Sequence, residues 1–309
     1  MTSLSISATP SLRSDILARI RNSSTFLWWT VLAMLGLAIS CVALQFVDGR
    51  EVNGVSTWLK PAKFFSSLAI QFATVGWALS YLPLAEQRTR VMRTAIPIML
   101  LMGWGEMAYI SFRAARGEAS HFNISTPTTQ LLYNLMGVGA VLMLVIAGYV
   151  GVRLWRHRRA GVMTEAASIG LIAGAVLGGL AGAYVGAQLS HSVGGDLSDA
   201  TGNGFFGWST TGGDLRIAHF IGMHAAQIVP LAALSGRRSL VWVAALLCTL
   251  VTGAVFAQAV LGLARTRRNA TRLRAARVGD PAADANPCEP AHRREGLQPG
   301  LLARRPAAS

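Results

Sequence analysis

Seven stretches of the sequence are apolar over nearly the length needed to cross a bilayer, and no other feature constrains the fold as strongly. They run Phe26–Val47, Pro61–Leu82, Ala95–Phe112, Gln130–Val152, Ser168–Leu189, Ile217–Ser235 and Ser239–Leu263. A spanning helix needs about 20 such residues. Lipid leaves no partner for open backbone groups, so each stretch is expected to be helical. The third and sixth are short and contain polar residues. Only 14% of the 309 residues are charged, against about 25% for a soluble domain. Three cysteines, Cys41, Cys248 and Cys288, exclude a disulfide scaffold. The expected fold class is an all-α polytopic integral membrane protein, a bundle of about seven transmembrane helices.

Residues 1–25 form the expected N-terminal segment, with Leu12, Ile16 and Ile20 on one side of a short amphipathic helix. The first span runs past Cys41 to Val47, too long for a signal peptide core of about 7–15 residues. It reads as a retained helix. Pro61 suits a first helical turn. Pro97 is expected near the start of its helix, and Pro230 is expected to kink the sixth span.

Twelve Lys and Arg fall in the N-terminal segment and alternate loops, and six in the opposite loops. By the positive-inside rule the N-terminus is cytoplasmic. The chain reads as a multi-pass protein of a bacterial inner (plasma) membrane, partnered by the lipid bilayer and not by nucleic acid. Residues 264–309 oppose this topology. They hold ten Arg and four acids, with no apolar periodicity, and read as a disordered Arg/Ala/Pro-rich tail. Residues 26–263 are the transmembrane domain.

The fifth span carries Gly170, Gly174, Gly178, Gly182 and Gly186. This unbroken four-residue repeat, a glycine zipper, makes a groove for close helix approach. A partner inside the bundle is preferred to an oligomer interface, which remains open.

Polar residues concentrate at the end of the bundle opposite the arginine-rich loops. Glu106, in GWGEMAY, lies about 9 Å of helical rise below Phe112. An ionisable group there faces a partner or a water-filled cavity, and Lys63 and Arg113 are candidate counter-charges. Arg113 and Arg116 could grip a carboxylate or head group, or Arg116 could pair with Glu118. The long Ser190–Arg216 loop offers Trp208 as a pocket cap. Asp214 suits the N-cap of the sixth helix. His219 and His224, five residues apart, are about 140° apart on the helix surface. Each is therefore expected to meet a different helix.

Candidate catalytic residues are Glu106, His219 and His224. Candidate substrate-binding residues are Arg113, Arg116, Arg216 and Trp208. Candidate metal ligands are His121, His191, His219 and His224. No nucleophile elbow, P-loop, C-x-x-C or H-E-x-x-H motif is present. Three readings stand: a membrane enzyme using a metal ion or haem, a proton-linked small-solute transporter, and an assembly or signalling protein whose polar groups are interhelical contacts.

Overall fold

The computed structural model describes residues 12–263. The tail after 263 and the first eleven residues lie outside the described residues. The described chain is helical almost throughout. Six helices are long and apolar enough to cross a membrane: α2 (Thr25–Leu44), α5 (Arg90–Ala115), α6 (Pro127–Arg156), α7 (Val162–Gln188), α8 (Leu215–Ala232, extended to Ser235 by a 3-10 turn) and α9 (Arg238–Val260). The second expected span is also a helix, α3 (Leu59–Leu79). It falls outside that group, because Lys60, Lys63, Gln71 and several hydroxyl residues dilute its apolar character. The two shortest expected spans, α5 and α8, both meet the criterion.

Local chemistry explains the helix ends. The Ser24 side chain accepts from the Leu27 amide, starting α2. Thr126 and Thr129 form a reciprocal capping box at the start of α6, with Pro127 in its first turn. Thr89 caps α5, and the helix begins at Arg90. Pro97 therefore lies inside α5, which corrects its expected place near the start. The extra turns carry Arg90 and Arg93, whose backbone continues the helix while the side chains can reach the interface. Pro61 is in the first turn of α3, and Pro230 lies inside α8 near its end.

One cluster of buried side chains joins α2, α3, α5 and α6 around Leu27, Met34, Phe72, Val75, Met99 and Val150. A second joins α7, α8 and α9 around Ala225, Val229 and Val241. The seam between α7 and α8 is made by the glycines. A Cβ on Gly174 would stand 2.9 Å from the Met223 carbonyl oxygen, and one on Gly222 would stand 2.8 Å from the Gly178 nitrogen. At the end of the repeat, Gly186 meets only the Tyr133 hydroxyl of α6, 3.9 Å away. The glycine face of α7 is thus turned mainly to α8.

The arginine-rich end is closed by ion pairs. Arg153 of α6 pairs with Glu86 in the short helix α4 (Leu84–Gln87). Buried Glu165, in the first turn of α7, meets Arg238 at 3.1 Å and the Trp242 indole at 3.2 Å. The sequence reading began this span at Ser168 and missed Glu165. The N-terminal helix α1 (Leu12–Ser23) docks on α3, where Ile20 is buried against Gly76.

Candidate functional site

The polar end is built from three connections. A tight antiparallel hairpin, β1 (Glu51–Val52) and β2 (Val55–Ser56), leads into α3. The Arg116–Thr126 segment joins α5 to α6. The long segment from Leu189 joins α7 to α8 and closes through a second ribbon, β3 (Ser192–Val193) with β4 (Gly213–Asp214). The first and third are tied together where the Asp199 amide donates to the Asn53 carbonyl at 3.1 Å.

Arg216 holds the long segment. Its guanidinium donates to Asp214 at 2.7 Å, to Asp199 at 2.8 Å and to the Gly207 carbonyl at 2.7 Å. Asp214 is fully buried and caps α8 by accepting from the Arg216 amide at 3.0 Å. Burial works against its charge, but Arg216 and the Ser209 amide hold the carboxyl below the usual carboxylate range. Arg216, a candidate substrate-binding residue, is thereby engaged within the protein. Trp208 stacks on Phe206 with centroids 4.4 Å apart and meets Phe220 of α8 at 5.3 Å.

Arg113 and Arg116 converge on Glu118, at 2.7 and 3.1 Å. They border an open cleft of about 560 Å³ with Asn123, Thr126 and Thr129. Both guanidinium groups thus have a counter-charge in their own loop.

The four candidate histidines separate into two kinds. His219 Nδ1 lies 2.7 Å from the Gly178 carbonyl. A carbonyl only accepts, so this nitrogen carries the hydrogen. Gly182 makes room for the ring, since a Cβ there would stand 2.8 Å from it. His224 Nδ1 donates to Gln227 at 3.0 Å, and Gln227 donates on to Thr74 of α3 at 2.8 Å. His219 thus meets another helix, α7, as expected, whereas the hydrogen bond of His224 stays within α8 and it is Gln227 that reaches α3. His121 and His191 sit in the loops, linked through Phe122, whose ring is 6.2 Å from one and 6.0 Å from the other. Phe122 and Leu189 have φ of +57° and +51°, costly for bulky residues and a pattern enriched at functional sites. Among the described residues no three His, Cys, Asp or Glu side chains are grouped to hold a metal ion.

Burial pushes the His121 imidazole well below its ordinary range, with Lys60 and His191 adding to the effect. Burial, then Arg216, lowers His191 to about 4. On acidification the unfolded chain therefore takes up these protons first. The stability from keeping both rings neutral is complete above about pH 6.5 and drains away as the pH falls towards 4. Hydrogen exchange in residues 190–214 is expected to speed up over that window, and His191→Asn to flatten the dependence. An unchanged profile in the variant would assign the effect elsewhere.

Glu106 is buried in α5, 9% exposed, and accepts no hydrogen bond from any described residue. The charge that acts on it is Lys60, at the start of α3, in place of the expected Lys63 or Arg113. One turn along α5, the Tyr109 hydroxyl is also buried without a hydrogen-bond partner among the described residues. Lys60 is half-buried beside the Phe64 ring, which packs edge-on to His121 at 5.3 Å. Lys60 also feels Asp199, Arg216 and Lys63. The Lys63 amine donates to the Phe206 carbonyl at 3.2 Å. Lys60 is one of the six cations of the loops opposite the arginine-rich ones, and its spacing from Lys63, one helical turn, is the sequence signal that puts both on one side of α3.

With six helices long and apolar enough to cross a bilayer and a polar cluster at one end, the chain has the makeup of a multi-pass helical membrane protein. No protein-family model, curated protein or solved structure matches it.

Proposed function

We propose that this is a proton-linked small-solute transporter of a bacterial inner membrane, with α3 as a seventh spanning helix and the N-terminus in the cytoplasm. One observation carries the reading: Glu106 is a buried carboxyl in α5 with no hydrogen-bond donor among the described residues. Buried polar groups are normally paired. A carboxyl left open within an apolar bundle is suited to gaining and losing a proton as its surroundings change. The described residues favour this reading over an enzyme built on a three-ligand metal-ion site. No three His, Cys, Asp or Glu side chains assemble among the described residues to hold a metal ion.

Dicyclohexylcarbodiimide modifies carboxyls that carry a proton in an apolar setting. It is expected to form an adduct at Glu106 in the purified, folded full chain, and the adduct should vanish in Glu106→Gln. Glu165, paired with Arg238, should stay unmodified. A folded protein that forms no adduct at Glu106 would overturn the proposal. Stoichiometric metal or a haem absorption band in the same preparation would do so in favour of the enzyme reading.

A further inference from the structure

We infer that the cleft between the end of α5 and the start of α6 holds the head-group phosphate of a monoanionic phospholipid, with an acyl chain lying along α6. Such a site stands apart from Glu106 and its proton. It needs only that the two helices cross a bilayer.

The cleft, of about 560 Å³, is lined by Arg113, Arg116, Glu118, Asn123, Thr126 and Thr128 among others. Its size is that of ligand-holding clefts, about 300–1,000 Å³. Two guanidinium groups share one carboxylate there. Glu118 is 2.7 Å from Arg113 Nη1 and 3.1 Å from Arg116 Nη2. Arg113 Nε donates to the Ala119 carbonyl at 3.3 Å, and Arg116 Nε to Glu118 at 3.2 Å. Arg113 Nη2 and Arg116 Nη1 are left without an acceptor among the described residues. The Asn123 oxygen accepts from the Ser125 amide and hydroxyl, and its nitrogen donates to the Ala119 carbonyl. That fixes the amide and leaves it one N–H. The Thr126 and Thr129 hydroxyls are spent on the capping box, so the arginines, not the helix end, are the main partners for an anion. Two cations and one acid leave one positive charge. A phosphodiester carries one negative charge and presents the oxygens that guanidinium forks grip.

The surroundings of the cleft select a lipid over a free ion. Thr128, Leu131, Leu135 and Val138 follow one another at spacings of three, four and three residues, which puts them in one stripe along α6. The three apolar members are 58, 56 and 64% exposed. An exposed apolar stripe is ordinary on a spanning helix; this one starts at the rim of a cationic cleft. On α5, exposed Phe112 lies one turn before Arg116, whose guanidinium sits over its ring at 5.7 Å. A phosphate held by the arginines would have its chain on the stripe. Basic pockets between spanning helices take lipid head groups in this way. A free phosphate would fill the cleft and leave the stripe unused.

Hydrogen exchange of the full chain in phosphatidylcholine nanodiscs, with and without phosphatidylglycerol, tests the site. Phosphatidylglycerol is expected to slow exchange in residues 116–129 about tenfold, the factor for a ligand at roughly ten times its Kd. Arg116→Gln should remove most of that slowing, and Arg116→Lys should keep part of it. Thr128→Glu puts a negative charge at the rim and should also remove it. An acid in a first helical turn favours the helix, so that loss would not come from unfolding. Exchange of each variant in phosphatidylcholine alone checks its fold. No slowing by phosphatidylglycerol, or slowing that persists in both Arg116→Gln and Thr128→Glu, would overturn the inference. Inorganic phosphate added to phosphatidylcholine discs tests the other source and is expected to protect the segment less. Equal protection by phosphate alone would overturn the lipid assignment in favour of a soluble ligand.

Discussion

Gly178→Leu is expected to abolish the folded protein. A Cβ at this position would meet Met223 of α8 at its nitrogen, 3.0 Å away, and its Cα, 3.1 Å away, besides colliding with its side chain. Backbone atoms cannot rotate aside, so the helices must separate. Overpacking a close seam costs about 1–3 kcal/mol even where side chains can adjust, and more is expected here. Separation would also take the Gly178 carbonyl from His219. Gly178→Ala should fall between leucine and the parent. Gly137→Leu is the matched control, because a Cβ there meets nothing within 4 Å. Thermal unfolding and size-exclusion behaviour in detergent measure the difference. Equal stability of the Gly178 and Gly137 leucine variants would mean that α7 and α8 are not held by this seam.

The second large effect is expected at Arg216. Arg216→Leu removes the hydrogen bonds to Asp214, Asp199 and the Gly207 carbonyl at one stroke. Asp214 is then a fully buried carboxylate without its counter-charge. Breaking one side of a buried pair typically costs about 3–5 kcal/mol. The loss should appear as loosening of residues 190–214, read by limited proteolysis, together with a lower unfolding temperature. Adding Asp214→Asn should recover part of it, because the stranded charge is removed. Arg216→Lys should rescue little, since one ammonium cannot reproduce a fork that serves three acceptors. A double variant no more stable than Arg216→Leu alone would show that the ion pair is not the source of the loss.

Much of the fold was legible in the sequence because lipid imposes a one-dimensional rule: enough apolar residues in a row must pair their own backbone groups. All seven expected stretches are helices, and the glycine repeat announced a close approach. Boundaries were less legible. Helices α5, α6 and α7 begin earlier than their apolar runs because capping hydroxyls and polar first turns belong to the helix without being apolar. That is why Glu165 was missed and Pro97 was placed too near a start.

The candidate site was legible as a list and not as a partnership. Composition and spacing put Glu106, the four candidate histidines, Arg113, Arg116 and Arg216 at one end of the bundle. They also separated His219 from His224, since helical angle follows from residue count. Which charges meet was decided by tertiary structure. Arg216 is taken up by Asp199, seventeen residues away, and Arg113 by Glu118. Lys60, in place of Lys63 or Arg113, is the cation whose charge acts on Glu106. Sequence alone thus determined the helices and the end of the bundle at which polar groups gather, because hydropathy acts along the chain. The partners depend on how helices rotate about one another and how a long loop folds back between them. That rotation is set by close packing, here of the α7 glycines against the α8 backbone; the repeat marks the face for close approach but not the neighbour that takes it.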